Sequence, residues 1–145
     1  MGAHPLPRYR YEEVPLGPLS NYARAVAAAV GVPDHGYWCE VGRLATIYLA
    51  LDARHPEFPD LDLALAWNEV NGWSAVLEIR QGAETIAIAY RGETVLPTPR
   101  EARTFMADLL AGHCPGQLEP PRLRPPGRRD VLHRELRRYR QRLPH

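Results

Sequence analysis

The chain has 145 residues, 45% of them hydrophobic and 24% charged, which fits one ordinary globular domain and excludes a wholly disordered chain. All 18 basic residues are Arg, beside much Ala, Pro and Gly, a bias read first as the coding habit of a GC-rich genome. The net charge of +1 hides an asymmetry: residues 1–121 carry 9 Arg against 15 acids, and residues 122–145 carry 9 Arg against Asp130 and Glu135. An acidic body with a basic tail implies tail-to-body docking or an acidic partner for the tail.

Residues 1–17 show no periodicity and read as an extended arm, packing through Tyr9, Tyr11 and Val14. A helix follows, with Leu19, Tyr22, Ala23, Val26, Ala27 and Val30 on one face and Gly31 at its C-terminal cap. From Tyr37 the period changes to two: Tyr37–Val41 and Leu44–Leu51 read as a hairpin turning at Gly42-Arg43, with one bent strand as the alternative. A loop over 52–62 leads to a strand from Leu63. Asn71-Gly72 then marks the strongest turn in the chain, before a strand from Trp73 to Arg80. A two-residue turn there sets Val70 against Trp73 and Trp67 against Val76, on opposite faces; a longer loop shifts the register. Thr85–Arg91 is the last strand. Thr98-Pro99-Arg100-Glu101 opens a second helix as a capping box, and Gly112 stops it.

The expected fold is α+β: an antiparallel sheet of four to five strands with flanking helices over 18–112, in α-β-β-β-β-β-α order. Residues 113–127 read as a Pro-rich linker and 128–145 as an Arg-rich amphipathic helix. Two helices cover only one sheet face well, so the other needs the arm, the last helix, a second copy or a ligand.

Candidate sites are few. Asp52, His55, Glu57, Asp60 and Asp62 share a loop, but their spacing matches no metal-binding pattern, and a solvated acidic loop is the preferred reading. His113-Cys114 reads as a helix-end loop, and Cys39 as a small sheet residue. No catalytic residue, metal site or cofactor is assigned. Partner-binding residues are placed on the tail, at Leu132, Arg134, Leu136, Arg137, Arg138, Tyr139, Arg140, Arg142 and Leu143, and on the sheet, at Tyr48, Trp67 and Trp73. Without an apolar leader or a run long enough to span a bilayer, and with two distant cysteines, a cytoplasmic, membrane-free setting is expected.

Trp67-Asn68-Glu69 leading through Asn71-Gly72-Trp73, after the strand Thr46–Asp52, resembles small actinobacterial proteins of unknown function over about residues 18–112. That resemblance implies no activity. In architecture the chain is similar to chaperone-type folds that bind peptides on an open sheet face. The functional expectation is a non-catalytic adaptor or regulatory protein acting through protein–protein contact as a homodimer. The alternatives are a nucleic-acid accessory protein using residues 122–145, and a small-ligand-binding or hydrolytic domain.

Overall fold

Apolar residues three and four apart give helix α1, Leu16–Val30, a buried stripe of Leu19, Tyr22, Ala23, Val26 and Ala27. The computed structural model describes residues 14–80, 82–124 and 129–140. After α1 come five strands, β1 Tyr37–Val41, β2 Ala45–Ala50, β3 Asp62–Asn68, β4 Gly72–Ile79 and β5 Glu84–Tyr90. They form one antiparallel sheet in sequence order. Helix α2, Pro99–Leu110, begins at the expected capping box, with the Thr98 hydroxyl accepting from Glu101 N–H and the Glu101 carboxylate from Thr98 N–H. Helix α3 spans Arg129–Leu136 and runs into a 3-10 turn, Arg137–Tyr139.

Alternation along the strands separates two faces. Ile47 and Leu49 of β2, Leu63, Leu65 and Trp67 of β3, and Trp73, Ala75 and Leu77 of β4 are buried in the core with residues of all three helices. The α+β order holds, with helices on one side of the sheet.

The hairpin at Asn71-Gly72 corrects the two-residue reading. Asn68 pairs with Gly72, Trp67 with Trp73 and Leu65 with Ala75, so Glu69, Val70 and Asn71 form a three-residue loop. Asn68 Oδ1 accepts from the N–H groups of Val70 and Asn71, both at 2.8 Å, which curls the chain. Gly72 completes the turn at φ +73°, and a Cβ there would meet Leu123 Cδ1 at 2.9 Å. The hydrophobic pattern favours this register: it places both tryptophans and Leu77 on the core side, where a slip of one residue would bring in Glu78. Trp67 and Trp73 therefore share a face.

The chain after α2 is tied to the sheet by backbone hydrogen bonds. Within residues 113–124, Gln117 exchanges two backbone hydrogen bonds with Tyr90, at 2.7 and 2.9 Å, and Leu123 N–H donates to Val70 O. Asn71 Nδ2 donates to Pro121 O at 2.7 Å. The segment meets the β5 backbone at Tyr90 and reaches the hairpin tip, and α3 packs on α1. Of the helix expected over 128–145, Arg142 and Leu143 lie outside the described residues, as do Tyr9 and Tyr11 of the arm.

Leu132 and Leu136 are fully buried. Leu136→Ala should therefore cost about 2–5 kcal/mol in urea unfolding, the usual range for emptying a core leucine site, whereas exposed Arg138→Ala should stay within about 0.5 kcal/mol.

Candidate functional site

The tail carries most of the expected partner-binding residues, and the structure divides them. Leu132 and Leu136 face inward. Tyr139 is half-buried, its ring edge-on to Tyr22 at 4.9 Å, and its carbonyl accepts from Asn21 Nδ2 at 2.6 Å. Arg134, Arg137, Arg138 and Arg140 remain exposed. One face of the tail is thus used within its own chain, and these four arginines point away.

What holds the tail in place is a carboxylate that sequence reasoning passed over. Glu69, in the hairpin loop, is 0% exposed. Its Oε2 accepts from Ala45 N–H at 2.6 Å and from Arg129 Nη2 at 3.0 Å, and its Oε1 from Arg129 Nε at 2.7 Å. Arg124 Nη2 adds an ion pair to Oε1 at 3.1 Å, while its Nε donates to Glu69 O. Arg129 grips the carboxylate with two parallel bonds and also donates to Arg43 O at 2.9 Å. Four donors satisfy a group that could not be buried alone. The available signal was a lone acid inside a tight loop, paired with surplus arginine downstream.

The expected sheet residues also separate. Trp67 is buried and donates to Val95 O at 2.6 Å; Trp73 is buried and donates to Tyr22 OH at 3.0 Å, which itself donates to Pro97 O. Burial raises the Tyr22 hydroxyl pKa far above its usual value. Neither tryptophan is available to a partner. Tyr48 lies on the helix-free face, where its hydroxyl bonds Glu78 across β3, and burial followed by that carboxylate pushes its pKa up. Small Ala64 and Ala66 on β3 leave room for the ring. Beside Tyr48 stands Trp38 of β1, 59% exposed, with ring centroids 6.2 Å apart.

A third feature is a cleft of about 390 Å³ between β5, the end of α2 and the 52–62 loop. It brings His55, Glu57 and Phe58 near His113 and Cys114, groups that are distant in sequence. His55 Nδ1 accepts from Glu57 N–H at 3.1 Å, which leaves the proton of the neutral ring on Nε2. No group of three or more His, Cys, Asp or Glu among the described residues is placed to hold a metal ion. Cys39 and Cys114 are both free, and burial raises the Cys39 thiol pKa. Among the described residues no helix is long and apolar enough to cross a membrane.

Residues 22–108 match the model of a family of unknown function, DUF6292. No curated protein and no solved structure matches the chain. The matched span contains Glu69 and ends before Arg124 and Arg129.

Beside the Glu69 cluster, His133 has its Nε2 buried without a hydrogen-bond partner among the described residues. Burial, followed by the Arg129 charge, lowers its pKa below 6.5, with Glu69 and Asp130 opposing and Arg137 reinforcing. The unfolded chain therefore takes up this proton first as pH falls below 6.5, and stability declines until the folded-state value is passed. The difference in urea midpoint between the native chain and His133→Gln should accordingly change on acidification through that window and stay flat above it.

Proposed function

Since the chain belongs to DUF6292, a family of unknown function, we propose from its own surfaces that it is a non-catalytic adaptor or regulatory protein, joined as a homodimer across the helix-free sheet face. The observation that carries this reading is Trp38. An indole 59% exposed beside Tyr48, on a face backed by no described helix, is the type of aromatic patch that protein interfaces enrich. A two-fold axis near the pair would bring the patches of two copies together as one self-complementary contact. Two free thiols fit a reducing, cytoplasmic setting.

A second reading rests on a separate observation. Arg134, Arg137, Arg138 and Arg140 are exposed and have no acidic partner among the described residues. Such a cluster suits nucleic-acid phosphates, with affinity that falls steeply as salt rises.

Sedimentation separates the two. A dimer of the 16.4 kDa chain that becomes monomeric on Trp38→Asp, with circular dichroism unchanged, is the expected result; a monomer at every concentration would overturn it. Salt-sensitive binding of duplex DNA that is lost on joint Arg137→Ala and Arg138→Ala substitution would establish the second reading instead.

A further inference from the structure

We infer that the outer edge of β5 is a docking site for an extended segment of another protein, which adds a strand to the sheet and sets an apolar side chain into the adjoining cleft. This deepens the protein-binding reading by naming a second surface and the chemistry of what it takes.

The backbone of β5 supplies the first part. Tyr90 exchanges both its peptide hydrogen bonds with Gln117, so its N–H and C=O point away from β4. Tyr90 faces Ser74, and steps of two along β4 reach Val76 and Glu78, which face Ala87 and Thr85 past the bulge. In an antiparallel ladder the bonding direction alternates from pair to pair, so Ala87 and Thr85 turn their peptide groups outward as Tyr90 does. No backbone partner for either appears among the described residues. Edge strands are normally blunted by charge or proline, and Thr85-Ile86-Ala87-Ile88-Ala89 carries neither.

The chain's own contact at Tyr90 shows what this edge accepts. Gly116, at φ +78°, lies so close that a Cβ would clash with Tyr90 O, and Gln117 then forms a one-residue antiparallel bridge. An extended segment continuing that bridge along β5 would find the next donors and acceptors at Ala87 and Thr85, at strand spacing. This is continuity with an interface already present in the fold.

The cleft supplies the side-chain pocket. Ala87, Ile88 and Ala89 form one wall, Phe58 and Leu109 line it further, and Leu118 stands at the rim, 77% exposed. Glu57 lines the same cleft beside His55 and His113, and it has no counter-ion among the described residues. Apolar walls beside that carboxylate, on a body with 15 acids against 9 Arg over residues 1–121, select a segment that alternates apolar with basic residues.

The test is an NMR titration of the full chain with a capped octapeptide of alternating leucine and arginine, beside its leucine–glutamate counterpart. Saturable shifts of the Thr85, Ala87 and Ile88 amides with the first peptide, and at least tenfold weaker binding of the second, are expected. Ala87→Pro removes an outward N–H without taking a bond from the β4 ladder, and should weaken binding about fivefold or more. Leu118→Asp, at an exposed position, should weaken it as well. Trp38→Asp should leave it unchanged, so that failure of the dimer is distinguishable from failure of this site. Absence of saturable shifts, equal binding of both peptides, or binding indifferent to both Ala87→Pro and Leu118→Asp would overturn the inference.

Discussion

A single buried carboxylate organises the molecule. Glu69 has no solvent exposure, and its charge is met by Arg124 and Arg129 from the end of the chain and by Ala45 N–H from the start of β2. It thereby ties the β3–β4 loop to the β1–β2 turn and to the segment that leads into α3. A buried ion cluster adds little net stability over an apolar replacement, but removing one member strands the others. With the cluster formed, the tail lies where Leu132 and Leu136 complete the core and Tyr139 meets Tyr22.

That arrangement determines which surfaces are left. Two tryptophans that would suit an interface are used inside, Trp67 and Trp73 bonding to Val95 O and Tyr22 OH. The tail spends its apolar stripe on its own body, which removes Leu132 and Leu136 from any external contact. Outward remain Arg134, Arg137, Arg138 and Arg140 of the tail, the Trp38–Tyr48 pair on the helix-free face, and the β5 edge with its cleft. Each has different chemistry: point charges, an aromatic patch, and backbone hydrogen bonds beside an apolar pocket.

Much of the fold was legible because its signals were local. The α1 stripe, the capping box at Thr98 and the period-two strands all rest on neighbouring residues, and their elements appear where the spacing places them. The hairpin register was not, because Asn71-Gly72 fits a two-residue turn equally well on local grounds. Asn68 Oδ1, bonding two amides ahead, and the need to bury Trp73 and Leu77 together settled it. Least legible was the site. The Glu69 cluster joins residues 55 and 60 positions apart, and the cleft joins two loops separated in sequence by three strands and α2. The charge asymmetry between body and tail foreshadowed docking in kind, without naming the residue that receives it.

Hydrogen exchange of the α3 amides, compared between the native chain and Glu69→Gln, tests this account most directly. In the native chain these amides should be protected together with those of β3 and β4. In Glu69→Gln their protection should collapse while the sheet keeps most of its own, since breaking such a cluster costs about 3–5 kcal/mol. Freely exchanging α3 amides in the native chain, or protection indifferent to Glu69→Gln, would contradict it.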